Sequence, residues 1–143
     1  MDYRKFGDKI FVRLDPNEEI VESLRRVCKT EDITLATVEG LGAISEFTAG
    51  VFDVVKRAFR PRDYKGSYEI TSLTGTVTTF KDEVYLHLHM SAAKEDGVAM
   101  GGHLSRAVIS ATGEIVLTVL DAKLDRRYNE EIGLNLFRFD EKV

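Results

Sequence analysis

The segment EVYLHLHMS, residues 83–91, alternates strictly between apolar and polar side chains. The apolar positions are Val84, Leu86, Leu88 and Met90, and the intervening ones are Glu83, Tyr85, His87, His89 and Ser91. Alternation at a period of two residues predicts a β-strand that buries one face. Because the apolar residues define the core face, the two histidines should point away from the core, toward solvent, a cleft or a partner subunit.

The chain has three histidines. Two of them lie in this segment, and the third, His103, follows the pair Gly101-Gly102. Residues i and i+2 of a strand lie about 6.5–7 Å apart on the same side, so His87 and His89 can converge on one metal ion. His103 can supply a third ligand, since paired glycines allow a tight turn and a close approach. Three imidazoles favour zinc, with nickel, manganese or iron as alternatives, and leave one position open as in catalytic or ligand-exchanging sites.

A simpler interpretation is a pair of solvated histidines on a strand and a third histidine in a loop or helix cap. The confinement of every histidine to these two places favours a shared metal site at His87, His89 and His103. Imidazole binds a metal ion only when it is deprotonated, so metal occupancy should fall as the pH drops below about 6.5.

The size and the charge of the chain limit its class. Its 143 residues are enough for one domain with its own core, and we predict a single domain over residues 1–143. Hydrophobic residues at 43% and charged residues at 31% are typical of an ordered globular protein. A net charge of -4 and a pI near 5.4 argue against autonomous nucleic-acid binding, which usually requires a basic patch.

The single cysteine, Cys28, precludes an internal disulfide and fits a reducing cytoplasm. Its place on the apolar face of a predicted helix favours a small buried hydrophobic residue over a nucleophile. The first residues, MDYRK, lack the apolar core of a signal peptide, and no apolar run reaches the ~20 residues of a membrane span. We therefore expect a cytoplasmic protein that does not engage a membrane.

The first half of the chain predicts three strands and one helix. The strands are predicted at residues 9–14, 33–39 and 44–55, with a break at residues 40–43 and an irregular basic loop at residues 56–66. Asp15 can cap a helix, Pro16 suits its first position and Glu18 completes a capping box. Apolar residues at helical spacing extend this helix to about Lys29.

The second half of the chain is mostly β-structure. Strands are predicted at residues 68–73, 76–80, 83–91 and 114–124, a strand or helical turn at 103–110, a turn at 112–113, a short helix within 125–133 and a last strand from 134 to 139. Lys81-Asp82 should form the tight turn of a hairpin, and the glycine-rich residues 92–102 should form a loop over the histidines. Together these segments predict an α+β fold, a compact single domain in which one main helix packs on a face of a mostly antiparallel β-sheet.

Four short segments follow one another in a specific order. They are GLGAI at residues 40–44, GSYEITSLTG at 66–75, HLH at 87–89, and DG at 96–97 followed by GGHL at 101–104. In this order they resemble the PPC domain (plants and prokaryotes conserved), also called DUF296. The resemblance covers most of the chain, from residue 9 to residue 136.

This resemblance implies a compact α/β domain with a mostly antiparallel sheet that assembles as a homotrimer. The family histidines that match His87, His89 and His103 are its proposed metal ligands, near the subunit interface. Bacterial and archaeal members are stand-alone domains of about this length. In plant members the domain follows an AT-hook that binds the DNA minor groove, and it mediates trimer formation and contacts with nuclear proteins.

Two features depart from the plant pattern. Arg60-Pro61-Arg62 lacks the Arg-Gly-Arg-Pro core of an AT-hook. The plant interaction segment Gly-Arg-Phe-Glu-Ile-Leu reads GSYEIT at residues 66–71, without the arginine. A DNA-binding description would therefore come to this chain by analogy alone, and we expect no direct nucleic-acid binding from it.

The sequence leaves several functions open. The first is a trimeric metal-binding domain of unassigned activity. The second is a metal-dependent hydrolase or lyase acting on a small molecule, with Glu39, Glu69, Glu95 or Asp96 as the general base. The third is an interaction module without catalysis that uses the trimer surface. A protein partner or a small-molecule ligand at the metal site is a separate expectation. A cupin barrel also carries a His-x-His strand, but Lys81 replaces its glycine and its second, proline-containing motif has no match.

Overall fold

Eight strands and one helix make up residues 1–139, the part of the chain that the structure, a computed structural model, describes. The elements are β1 (Asp2–Phe6), β2 (Lys9–Leu14), α1 (Ile20–Thr30), β3 (Ala36–Asp53), β4 (Ala58–Phe80), β5 (Glu83–Ala93), β6 (Ala99–Val119), β7 (Arg126–Asn129) and β8 (Leu134–Phe137). The predicted α+β class is right in its antiparallel sheet. It is only roughly right in its helical share, because α1 has just 11 residues.

Six strands form one antiparallel sheet in the order β1-β2-β6-β3-β4-β5. The start of β6 also pairs with β5, the last strand of this order, so the sheet curves and β6 closes it. The closure takes place at His103, which lies opposite His89 on β5 and opposite Gly50 on β3. The remaining two strands, β7 and β8, form a separate antiparallel pair.

The core forms where α1 packs on β5 and β6 and where alternate apolar residues of the strands face it. The helix turns Ile20, Leu24, Val27 and Cys28 inward, and all four are at most 1% exposed. These residues recur at helical spacing, which is why this segment buries one face as a helix. The prediction that Cys28 is a buried hydrophobic residue is confirmed. Within residues 1–139, no helix is long and apolar enough to cross a membrane.

The helix begins later than the sequence predicts. Its N-cap is Glu19, whose carboxylate accepts hydrogen bonds from two backbone N–H groups of the first turn. Asp15 and Glu18 instead close a preceding turn, in which the backbone N–H of Asp15 donates to Glu18 Oε2 at 2.9 Å. Glu19 Oε1 also accepts from the backbone N–H of Ala107 on β6 at 2.9 Å. This contact with the sheet, which local capping rules do not contain, fixes where the helix starts.

Two predicted interruptions, at residues 40–43 and at Thr112-Gly113, are wrong because both lie inside continuous strands, β3 and β6. Gly42 has a φ of 149°, and a Cβ atom there would lie 2.4 Å from the carbonyl oxygen of Thr112. The two strands therefore pass each other closely with register shifts, where a side chain would force them apart.

The basic loop predicted at residues 56–66 is also wrong, because most of this segment is the first part of β4 and pairs with β3. Carboxylates of β3 form ion pairs with two of its basic side chains. Arg60 contacts Asp53 at 2.5 Å, and Lys65 contacts Glu46 at 3.7 Å. The basic residues that looked like a solvated loop are thus held in a strand by cross-strand pairing.

The hairpin that precedes the histidine strand is confirmed. Its first arm is β4, which contains both strands predicted before the turn, and its turn is Lys81-Asp82. Both turn residues have left-handed φ angles, 54° and 62°, as in a type I′ turn. The loop predicted at residues 92–102 shrinks to a turn at residues 94–98, since β5 and β6 pair on both sides of it. Residues 103–110 are strand.

The remaining differences lie near the ends of the chain and of the elements. Strand β1 was not predicted, and residues 33–35 and 120–124, predicted as strand, lie outside β3 and β6. The short helix predicted within residues 125–133 is wrong, because this segment contains β7. The last predicted strand is confirmed as β8, which ends at Phe137. Residues 140–143 of the predicted domain lie outside the described residues.

Candidate metal centre

The structure brings His87, His89 and His103 together on the outward face of the sheet. One nitrogen atom from each ring lies within 4.8 Å of the others. The ring centroids are 5.2, 5.1 and 5.6 Å apart. No aspartate, glutamate or cysteine among residues 1–139 joins this cluster. The cluster therefore consists of three imidazoles, from the same three histidines that the sequence singles out.

Two strands position these side chains. Alternation along β5 places His87 and His89 on the face opposite the buried Leu88 and Met90. His103 comes from β6, where it pairs directly with His89. Directly paired residues of an antiparallel sheet project to the same side, so the third imidazole meets the other two.

Gly102 allows β6 to reach this position. Its φ is +145°, and a Cβ atom there would lie 2.4 Å from the carbonyl oxygen of Gly50 on β3. Any other residue would push β6 away from β3 and displace His103, the next residue in the chain. The sequence indicates a close approach at the glycine pair, but it does not identify β3 as the strand that approaches.

Burial keeps two of the histidines neutral. It is the main cause that lowers the pKa of His87 from 6.5 to about 4, and the charges of Arg126 and the other two histidines add to it. Burial, with a smaller effect of His89, also lowers the pKa of His103. Both imidazoles are therefore neutral near pH 7 and each has a lone pair available for a metal ion. His89 is exposed.

Aromatic rings and one cation surround the cluster. Phe59 of β4 meets His103 edge to face, with ring centroids 5.4 Å apart. On the other side, Tyr85 packs against Arg126, whose guanidinium carbon lies 4.7 Å from the ring centroid. The sequence does not single out Arg126, because one arginine in a polar segment without clear periodicity carries no recognisable signal. Only the packing of β7 onto the sheet shows that it belongs to the site.

None of the carboxylates predicted as a general base joins the histidine cluster. Glu39 lies on the same face as His89 but two strands away, on β3. Glu69 pairs with the far end of β5. Glu95 and Asp96 lie in the exposed turn that follows β5. A hydrolase or lyase at this site would therefore need a different base.

A groove on the outward face lies away from the histidines and has a volume of about 660 Å³. Three of its residues, Phe6, Phe11 and Leu41, are 64, 48 and 57% exposed. A row of directly paired residues connects the groove to the cluster: Phe11, Val116, Glu39, Thr74 and His89. At about 4.8 Å per strand, this row spans roughly 19 Å. The groove and the histidines are thus separate features of one face of the sheet.

The curved antiparallel sheet that closes at a three-histidine cluster defines a class of small domain. The family model of the Plants and Prokaryotes Conserved (PCC) domain matches residues 1–121. The chain belongs to this family, and the resemblance drawn from its motifs is confirmed. None of the curated proteins matches the chain.

Solved structures from bacteria and archaea share this fold. A protein from Bacteroides thetaiotaomicron, described as a candidate DNA-binding protein, is 34% identical, with a TM-score of 0.95 over 98% of each chain. A plant- and prokaryote-conserved (PPC) protein from Pyrococcus horikoshii is 27% identical, with a TM-score of 0.85 over 99% of this chain and 97% of its own. A metal-containing protein from Archaeoglobus fulgidus is 25% identical, with a TM-score of 0.86 over 97% of this chain and 99% of its own.

Proposed function

We propose that this chain is a metal-binding domain in which His87, His89 and His103 hold one divalent transition-metal ion, with zinc as the first candidate. The observation that carries the proposal is the convergence of three imidazole nitrogens to within 4.8 Å of one another. The relative from Archaeoglobus fulgidus, described as metal-containing, supports it. We place the domain in the cytoplasm, where the buried thiol of Cys28 would stay reduced.

The cluster fits such an ion in donor chemistry and in protonation. Imidazole suits zinc, copper, iron and nickel, whereas magnesium and calcium prefer the oxygen ligands that this cluster lacks within the described residues. The lowered pKa values of His87 and His103 keep both rings neutral near pH 7, so that one nitrogen of each ring carries no proton and can bind a metal ion. When bound, zinc would supply a Lewis acid with one coordination position left open.

We further propose that the chain assembles as a homotrimer, with the histidines near a subunit interface. The exposed apolar side chains of the groove support this assembly, because burying them against another copy would remove them from water. The groove and the cluster lie on the same face of the sheet. An interface over the groove would therefore extend toward the histidines.

We do not extend the DNA-binding description of the Bacteroides relative to this chain. The net charge of -4 would repel the phosphate backbone. The basic side chains at the start of β4 are partly neutralised, because Arg60 and Lys65 contact carboxylates of β3. These observations support a domain that does not bind nucleic acid directly on its own.

An interaction module without catalysis is the second candidate function. The exposed groove favours it, since exposed apolar patches mark sites of protein contact. The hydrolase or lyase hypothesis receives less support, because the predicted bases lie away from the histidine cluster.

Elemental analysis of untagged protein by plasma mass spectrometry tests the metal site. The wild-type protein, supplemented with zinc, should contain about one metal ion per chain, and the double variant His87→Ala, His89→Ala should contain none. One remaining imidazole cannot hold the ion with comparable affinity, because each ligand contributes to chelation.

The Ser91→Ala variant is the matched control. Ser91 lies on the same strand and face as the two histidines, but it does not belong to the cluster. It should retain the metal content of the wild type. A wild-type protein without metal after zinc supplementation, or a double variant that keeps its metal, would contradict the proposal.

A further inference from the structure

The strand pair β7–β8 carries a buried arginine onto the outward face of the main sheet. Arg126, the first residue of β7, is only 8% exposed. Its guanidinium lies between the rings of Tyr85 on β5 and Phe137 on β8, with its carbon 4.7 and 4.5 Å from the two centroids. Contact with aromatic rings on two sides holds the guanidinium in a defined position.

Within residues 1–139, Arg126 donates hydrogen bonds only to neutral acceptors. Nε donates to Thr78 Oγ1 at 2.8 Å, Nη1 to the carbonyl oxygen of Asn135 at 2.8 Å, and Nη2 to Thr76 Oγ1 at 3.3 Å. A guanidinium has five N–H donors, so in the described part of the chain one N–H on each terminal nitrogen has no acceptor. No carboxylate in that part forms an ion pair with it.

A buried cation without a counter-charge is uncommon. Transfer of a charged group from water to a protein interior is costly, and buried charges are therefore usually paired. Hydroxyl and carbonyl oxygens satisfy part of the hydrogen-bonding capacity of Arg126, but they do not neutralise its charge. This imbalance leaves a positive charge that a negative ligand would stabilise.

The cation lies beside the three histidines. Thr76, whose hydroxyl accepts from Arg126 Nη2, pairs directly with His87 across β4 and β5. Directly paired residues have Cβ atoms about 4.5–5.5 Å apart on the same face. Tyr85, which packs against the guanidinium, precedes His87 by two residues on that face. The arginine and the cluster therefore border one common surface.

We propose that this surface binds a small carboxylate anion, held by Arg126 on one side and by the histidine cluster on the other. Two free N–H groups on neighbouring nitrogens match the two oxygens of a carboxylate, the bidentate arrangement that arginine favours. The inference rests on the proposed function in part, because a cation held by three neutral imidazoles would add positive charge for the same anion. The exposed His89 leaves the surface open to solvent.

An NMR titration with acetate tests the proposal, with acetamide as the neutral analogue and sodium chloride to match the ionic strength. Acetate should shift the side-chain N–H resonances of Arg126 in the wild-type protein, and acetamide should bind about tenfold more weakly or not at all. A wild-type titration without any shift of these resonances overturns the inference, and this measurement requires no variant.

Arg126→Gln should weaken acetate binding about tenfold or more, whereas Arg127→Gln should change it less than about twofold. Arg127 is the matched control, because it is the next residue and is exposed. Arg126→Lys, which keeps the charge without the planar fork, should bind acetate more weakly than wild type and more tightly than Arg126→Gln. A lower melting temperature of the variants with unchanged acetate affinity would give the arginine a purely structural role and overturn the proposal.

The same titration on chelator-treated protein separates this inference from the proposed metal site. Acetate binding that depends on Arg126 in a protein without metal would support the inference, even if elemental analysis contradicted the metal site. If the protein retains its metal but its acetate affinity does not depend on Arg126, this inference is overturned and the proposed metal site is not.

Discussion

His87 shows how burial determines the chemistry of a single side chain. A histidine in water has a pKa near 6.5, but burial and neighbouring positive charges lower the pKa of His87 to about 4. The sequence alone predicts loss of metal below about pH 6.5, the ordinary pKa of the ligand. With the lowered pKa, protons compete for this nitrogen only at more acidic pH.

We expect the metal-free protein to lose stability as the pH falls from 6.5 toward 4. In this window the unfolded chain binds a proton at residue 87 that the folded chain, with its pKa of about 4, does not. A lowered pKa of a basic group therefore destabilises the fold at a pH below the pKa of the unfolded chain. The free energy of unfolding should change by less than about 1.4 kcal/mol per pH unit, because solvent screens the partly exposed ring.

Urea unfolding of chelator-treated wild type and of His87→Gln between these pH values checks this expectation. The free energy of unfolding of the variant should depend less on pH, since glutamine does not titrate. Above pH 6.5 the free energies of unfolding of the two proteins should change with pH in the same way. If they also change in the same way between pH 6.5 and pH 4, the lowered pKa of His87 is contradicted.

The β4–β5 hairpin is the element that sets the register of the histidine strand. Its tight turn places Thr74 opposite His89 and Thr76 opposite His87. The turn residues Lys81 and Asp82 both adopt left-handed φ angles, 54° and 62°. Residues with a Cβ atom adopt this conformation at a cost of about 1 kcal/mol each, and an Asn-Gly pair suits it better.

The double variant Lys81→Asn, Asp82→Gly should therefore unfold with a free energy about 1 kcal/mol higher than wild type. The ion pair that it removes, between Asp82 and Lys123 at 3.1 Å, is exposed and contributes little. Asp121→Gly serves as the control, because Asp121 is exposed and does not have a positive φ. A gain of equal size in this control would show that the turn conformation is not the cause.

The groove on the outward face is a property of the whole molecule. Its exposed side chains come from β1, β2 and β3, which the sheet places side by side with β6. The isolated chain leaves Phe6 64% and Leu41 57% exposed. The proposed trimer would cover them, and a copy seated there would lie along the row of paired residues that leads to His89.

Light scattering coupled to size-exclusion chromatography should give a mass about three times the 16.1 kDa of the chain. The double variant Phe11→Glu, Leu41→Glu should shift this mass toward the monomer, because the buried carboxylates would be desolvated without partners. Val55→Glu is the control, since Val55 is 93% exposed and does not line the groove. A monomeric wild type would contradict the trimer, and a trimeric double variant would contradict the groove as its interface.

Several elements could be predicted from the sequence because short-range patterns determine them. Alternation in residues 83–91 predicted the histidine strand, and Lys81-Asp82 predicted its hairpin. The errors fall where long-range contacts override local signals. Gly42 and Gly113 read as strand ends, yet they are the places where β3 and β6 pass in close contact. The basic residues of β4 read as a loop because their carboxylate partners lie on another strand.

Local patterns in the sequence place His87 and His89 on the outward face of a strand, because side-chain alternation is a local property of a strand, and they offer His103, after a glycine pair, as a third ligand. The pairing of β6 with β5 and β3 at His103 is a property of the tertiary fold. So is the position of Arg126, 23 residues beyond His103, at the border of the same surface. Strand pairing is set by contacts between residues far apart in the chain, and no local pattern encodes which strands will meet.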